Sequence, residues 1–209
     1  MNIKFLLQTI SHIFVRIIVI PVFILRYNFK LKFKVKLKHY NNGFYSSNHQ
    51  SLADPPLIGV FAPATLYFIA KKELFKNPLI GLFLKILGAI PINRAVFDRN
   101  TLLKIIKLID NKKSVLIFPE GTRSGENRFL KAKAGIGFLT TKSKDSTIVP
   151  VKIWNSKFSL DNFFKLKRPK IELTYGRPYC INKYFNWGEN KKDKYRNISR
   201  YILKKIKEV

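Results

Sequence analysis

Apolar runs of strand length alternate with helix-spaced runs through most of this chain. That alternation is the sequence form of an α/β domain, in which helices pack on a largely parallel sheet. The strand candidates are residues 66–70, 114–118, 147–153 and 170–175. Between them, 78–87 and 101–110 show helical spacing; in the second, Leu102, Ile105, Ile106 and Ile109 share one side and Asp98 is available near its start. A further helix is expected over 132–142. The chain closes with an amphipathic helix whose Tyr195, Ile198, Ile202, Ile206 and Val209 fall on a single face. No repeat, low-complexity linker or domain boundary interrupts the series, and 209 residues suit one domain. The expectation is a single α/β domain with a mostly parallel or mixed sheet flanked by helices.

Two segments precede that series. Residues 3–25 read IKFLLQTISHIFVRIIVIPVFIL, with Lys4, Gln8, His12 and Arg16 spaced by four on one helical stripe and a wide apolar face around it. At 1.5 Å per residue the stretch reaches roughly 35 Å, enough to span a bilayer. Arg16 in its middle and Pro21 make lying in the interface an equal reading, and an ordinary buried helix is the third. No small-residue cleavage site follows, so the segment is expected to be retained. Residues 1–27 are therefore read as a membrane-associating helix preceding a folded body, 28–209. If the segment spans, the basic stretch after it holds that body on the cytoplasmic face of the cell membrane. Next, Lys30, Lys32, Lys34, Lys36 and Lys38 alternate with Leu31, Phe33, Val35 and Leu37, the period of a strand with one cationic face. Asn41, Asn42 and Gly43 offer turn chemistry before 44–47, which predicts a hairpin.

Lys and Arg number 40 against 12 Asp and Glu, a formal net charge of +28. With 46% hydrophobic and 14% aromatic residues the chain is too apolar for a disordered basic tail, so the charge lies on a folded surface. Such a surface suits nucleic acid or an anionic membrane. Nucleic acid fits worse: no helix-turn-helix, RNP or zinc pattern is present, and the apolar N-terminus would have no role. One cysteine, Cys180, excludes an intrachain disulfide framework and suggests a reducing compartment. Three histidines leave too few ligands for a Cys/His zinc site, so no metal is expected.

Chemistry-bearing residues concentrate in three places. Asn48-His49-Gln50-Ser51-Leu52-Ala53-Asp54 puts a histidine and an aspartate five apart, followed by Pro55 and Pro56. On an unbroken helix those two would point about 140° apart, so the segment must turn to bring them together. An aspartate bound to one imidazole nitrogen fixes the tautomer and raises the basicity of the other, which makes a general base; an ordinary structural hydrogen bond is the plainer alternative. Phe118-Pro119-Glu120-Gly121-Thr122-Arg123-Ser124 follows an apolar run, where α/β sheets keep their crevices. Its glycine, hydroxyls and guanidinium suit an anion. Gly88-Ala89-Ile90-Pro91-Ile92-Asn93-Arg94 ends in another arginine of the same use.

In order, NHQSLADP (48–55), GAIPINR (88–94), FPEGTRS (118–124) and IVPV (148–151) resemble the four sequence blocks of the glycerolipid acyltransferases, most closely the bacterial 1-acylglycerol-3-phosphate acyltransferases. AKKELFKNPLIGLFLKILGAIPINR (70–94) also looks typical of that family, and the resemblance runs from about residue 45 to 176. The stretch RFLKAKAGIGFLTTK departs from the family's usual pattern and leaves the part played by Lys131 open. The resemblance implies the glycerolipid acyltransferase fold over 28–209 and transfer of a fatty acyl group to the free hydroxyl of lysophosphatidic acid, giving phosphatidic acid. It implies His49 as general base and Asp54 as its support. Glu120, Gly121 and Thr122 would shape the acceptor site, while Arg123 and Arg94 bind the acceptor's phosphate. The donor would be acyl-CoA or acyl carrier protein, with no cofactor and no acyl-enzyme, in keeping with the absence of a G-x-S-x-G nucleophile elbow. Another lysolipid, such as a lyso-ornithine lipid or lysophosphatidylglycerol, is the near alternative acceptor. A non-catalytic membrane protein would not need these blocks.

Overall fold

The computed structural model describes residues 17, 20–21, 24–25, 27–40, 42–92, 99–125, 127–144, 147–157, 170–182 and 186–209. Most of the N-terminal apolar segment, and with it the membrane-associating helix expected over 1–27, lies outside them, as do Arg94 and Asp98. No described helix is long and apolar enough to cross a membrane.

The strands are β1 Asn28–Phe33, β2 Phe44–Ser47, β3 Leu66–Lys71, β4 Ala89–Ile92, β5 Ser114–Ile117, β6 Thr147–Trp154, β7 Lys170–Tyr175 and β8 Tyr179–Cys180. The helices are α1 Asp54–Phe61, α2 Pro78–Ile86, α3 Arg99–Asp110, α4 Gly135–Lys142 and α5 Lys191–Lys207. One sheet runs β1-β7-β6-β2-β5-β3-β4, with β8 beside β6. It is parallel except where β6 meets β7 and β8. The expected mixed α/β sheet flanked by helices is therefore present.

Side-chain alternation splits the core in two. Phe44, Val115, Ile117 and Ile148 join Ile105, Ile136, Leu139, Ile198 and Ile202 on one face, under α3, α4 and α5. Tyr45, Leu116 and Val149 join Leu57 and Ile58 of α1 on the other. Each strand of the centre is thus buried on both sides, which is why β2 and β5 read as unbroken runs. On α5, Ile198, Ile202 and Ile206 are fully buried, each contributing on the order of 1.5–3 kcal/mol relative to exposure.

The topology creates a crevice. The chain leaves β2 through α1 toward β3 on one side, and leaves β5 through α4 toward β6 on the other. These crossovers run in opposite directions across neighbouring strands, and crossovers of one hand then lie on opposite faces. The loops after β2 and β5 diverge at their carboxyl ends, the switch point where open α/β sheets bind ligands.

Three sequence expectations need correction. The lysine-rich strand was expected through Lys38 but ends at Phe33; the backbone bends and Leu37–His39 forms a 3₁₀ turn. The hairpin between this strand and 44–47 does not form. β1 lies at the sheet edge, parallel to β7, whereas β2 is buried between β5 and β6. A strand flanked by lysines suits an edge and a wholly apolar one suits the centre, and that preference overrides the turn residues between them. The helix expected from 132 begins at Gly135. Before it, the Lys133 N–H donates to the Pro119 carbonyl at 2.8 Å, a bond made with a distant loop in place of a helical one.

Candidate active site

Asn48 anchors the first loop. Its amide donates to the Ile153 carbonyl at 2.8 Å and accepts the Ile153 N–H at 2.9 Å, continuing the β2–β6 ladder with a side chain. His49 follows, already past the strand, and the chain turns into α1, whose first residue is Asp54 and whose first turn holds Pro55 and Pro56. Proline is tolerated there because those N–H groups have no helical partner. Asp54 Oδ2 accepts the Gln50 and Ser51 N–H groups at 2.6 and 2.9 Å, and lies 2.8 Å from His49 Nδ1. The turn that the two sequence positions required is closed by the aspartate itself.

Asp54 is fully buried and His49 is 6% exposed. A carboxylate accepts hydrogen bonds, so Nδ1 donates and Nε2 carries the free lone pair. The imidazole stacks on Phe118, with centroids 4.0 Å apart and planes at 17°. Charge below and an aromatic plane alongside hold the ring in one orientation.

The second loop grips the first. Glu120, almost wholly buried, accepts the His49 N–H at 3.1 Å through Oε1 and the Leu130 N–H at 2.7 Å through Oε2. Ser124 donates to the His49 carbonyl from its N–H at 2.8 Å and its hydroxyl at 3.2 Å. Burial raises the Glu120 carboxyl above its ordinary pKa of 4.5, and the two N–H bonds oppose that shift. Gly121 has φ +66°, a left-handed conformation that favours glycine, and a Cβ there would also stand 2.9 Å from Lys133 Cδ and push that side chain aside. His49, Phe118 and Gly121 open on a cavity of about 200 Å³, backed by Ile69, Ile92, Leu116, Ile136 and Leu139.

The structure thus brings His49, Asp54, Glu120 and Gly121 together. Thr122 and Arg123 lie next to them on the exposed side of the loop, and Arg123 makes no hydrogen bond or ion pair with another described residue. Sequence reasoning missed Asn48 as an anchor, Phe118 as the imidazole's platform, Ser124 as a clamp on the His49 carbonyl and Lys133 at the cavity wall. The first three stand inside the quoted blocks, but only the fold shows what they touch.

An oriented, buried imidazole at the switch point of a parallel α/β sheet, beside an apolar cavity, is the arrangement that general-base chemistry requires. A family model described as Acyltransferase matches residues 28–154, and the chain belongs to that family. Relatives include a 1-acyl-sn-glycerol-3-phosphate acyltransferase of Bacillus subtilis (strain 168), 31% identical over 140 residues, covering 66% of this chain and 67% of that one. The protein of the same name from Helicobacter pylori is 35% identical over 120 residues, covering 53% of this chain and 50% of that one. Among solved structures, the 1-acyl-sn-glycerophosphate (LPA) acyltransferase PlsC of Thermotoga maritima matches with TM-score 0.65 and 27% identity, over 86% of this chain and 70% of that chain.

Proposed function

We propose that this chain acylates lysophosphatidic acid, moving a fatty acyl group from a thioester donor to the free hydroxyl and giving phosphatidic acid. The reading is carried by the buried 2.8 Å contact between His49 and Asp54, in a chain whose relatives bear that activity's name. His49 Nε2 takes the hydroxyl proton as the oxygen attacks the thioester carbonyl. Asp54 stabilises the imidazolium through Nδ1–H. The tetrahedral adduct collapses with loss of the C–S bond, and the departing thiolate recovers the proton from Nε2. The balance needs no metal and no covalent enzyme intermediate.

Each remaining residue has a place in that scheme. Glu120 and Ser124 position His49 through its backbone, while Gly121 allows the loop to close over Lys133. The apolar cavity beside His49 suits the first part of an acyl chain. Arg123, exposed and unpaired among described residues, and Arg94 suit the acceptor phosphate by their bidentate geometry. The acceptor's tail lies in a bilayer, so the segment 1–27 and the lysines of β1 suit attachment at an anionic, cytoplasmic membrane face.

The test is a panel assay. Purified protein is incubated with labelled acyl-CoA or acyl carrier protein and, separately, with lysophosphatidic acid, lysophosphatidylglycerol and a lyso-ornithine lipid. Labelled phosphatidic acid is expected, and its loss in His49→Ala. Preference for a phosphate-free acceptor would overturn the reading.

A further inference from the structure

Beside the catalytic cavity lies a larger groove of about 760 Å³ to which the scheme above assigns nothing. One wall is the segment between the second loop and α4, presenting Lys131 and Lys133; the other is the outer face of α5, presenting Arg196, Arg200, Lys204 and Lys207. No acidic side chain is among the described residues that line it. The helix cations follow steps of four, four and three, so they form one stripe opposite the buried Ile198, Ile202 and Ile206. Lys204 has the Glu208 carboxylate 4.0 Å away, but the six cations around one concavity still leave a positive excess that an entering anion would offset.

The groove adjoins the cavity at His49. Lys133 lines both cavities. Leu130, on the same wall, donates its N–H to the carboxylate that holds the His49 N–H. Lys133 therefore forms part of the wall of both the groove and the cavity at His49. The floor is not polar: Phe129, Leu130 and Leu203 contribute apolar surface, and Lys207 Nζ stands 5.3 Å over the Phe129 ring. An apolar floor under converging cations matches a ligand with a flat ring and several phosphates.

We infer that this groove binds the 3′-phosphorylated adenosine diphosphate end of acyl-CoA, with the pantetheine arm running past Lys133 to put the thioester at His49. That end carries roughly four negative charges, a monoester phosphate alone accounting for close to two. The inference rests on the acyltransferase reading and adds to it the identity of the donor. An acidic carrier-protein helix laid along the α5 stripe is the rival occupant; it would leave the concavity and its apolar floor unused.

The experiment measures binding apart from turnover. Coenzyme A and adenosine 3′,5′-bisphosphate are titrated calorimetrically, at fixed ionic strength, into the full chain and into the triple variant Arg196→Gln/Arg200→Gln/Lys204→Gln. The buried face of α5 is untouched, and unfolding by circular dichroism controls for folding. A second variant, Arg196→Lys/Arg200→Lys, keeps the charge. Dissociation constants for both ligands are expected to rise at least tenfold in the glutamine variant and much less in the lysine variant. The KM for acyl-CoA should follow, with the KM for the lysolipid unchanged. Equal coenzyme A binding by the natural chain and the glutamine variant would overturn the proposal, as would a rise confined to the KM for acyl carrier protein, which assigns the stripe to the carrier. A chain that binds coenzyme A through these residues yet does not acylate lysophosphatidic acid overturns the acceptor reading alone.

Discussion

Asp54 Oδ2 lies 2.8 Å from His49 Nδ1 while also receiving the N–H groups of Gln50 and Ser51, so one oxygen both closes the turn and orients the imidazole. In the proposed mechanism, structure and catalysis meet at that one atom. His49→Ala removes the proposed base and leaves the backbone of that turn in place, so acyl transfer should fall by about 10²-fold or more in a chain that still folds but unfolds at a lower temperature. Asp54→Asn keeps an acceptor for the turn but not the charge facing a developing imidazolium, and kcat should fall comparably. Single-turnover acyl transfer together with thermal unfolding checks both; near-full activity in folded His49→Ala would sink the mechanism.

Glu120 stands 71 positions from His49 in sequence and holds its backbone N–H. Glutamine in its place keeps one acceptor and turns an N–H donor toward the other partner. A small displacement of the imidazole follows, and kcat should drop roughly tenfold or more, since misplacement of about 1 Å can cost 10²-fold. The carboxyl is also a pH probe. Its pKa in the folded chain is raised above 4.5, chiefly by burial, so the folded state holds the proton more tightly. The contribution of Glu120 to stability is therefore full below 4.5 and is lost as pH rises through the raised value. Urea unfolding of the natural chain and Glu120→Gln, from pH 4.5 to 7, should show their difference moving against the natural chain as pH rises; a difference that is flat or moves the other way contradicts the burial argument.

The Asn48 amide replaces a rung of sheet, joined to Ile153 as both donor and acceptor. Alanine there leaves a buried N–H and a buried carbonyl without partners. The expected loss is about 2–6 kcal/mol, at roughly 1–3 kcal/mol for each group left unsatisfied. Chemical denaturation measures it; a loss below about 1 kcal/mol would mean that water or a local shift satisfies Ile153.

These cases mark what the sequence makes legible. β7 at Lys170–Tyr175 and β5 from Ser114 can be read directly because apolar runs and turn residues are local signals. The His49–Asp54 pairing is legible too, since five residues and two prolines constrain the turn. The position of β1 is not, because strand neighbours are chosen by burial over the whole sheet: β1 pairs with a strand about 140 residues away, and turn chemistry at Gly43 does not decide it. Glu120 shows the same limit at the site. Its motif is visible, but its bond to the His49 backbone exists only because β2 and β5 are parallel neighbours.

Arg123 and Arg94 are proposed to share the acceptor's phosphate. Lysine at either keeps the charge and loses the planar two-pronged donor. The KM for lysophosphatidic acid should rise severalfold in Arg123→Lys, with the donor constant moving much less. An equal change in both constants points to a structural arginine, and an unchanged acceptor constant rejects the phosphate role.

The proposed membrane attachment has two sources, the apolar segment 3–25 and the cationic surface. Each Lys or Arg near an anionic surface contributes about 1 kcal/mol, screened beyond a Debye length of about 10 Å at 0.1 M salt. Burial of an apolar helix is almost indifferent to salt. The two contributions therefore separate by ionic strength. The full chain should float with vesicles in both low and high salt, whereas a chain beginning at Arg26 should float only with anionic vesicles and only at low salt. The shortened chain should also lose more activity on lysolipid presented in vesicles than on dispersed monomers. Flotation of the shortened chain with neutral vesicles as readily as the full chain would show that residues 3–25 are not the anchor. It would move the attachment to the folded body, where Leu79 and Leu82 of α2 are exposed apolar side chains flanked by Lys76 and Lys85.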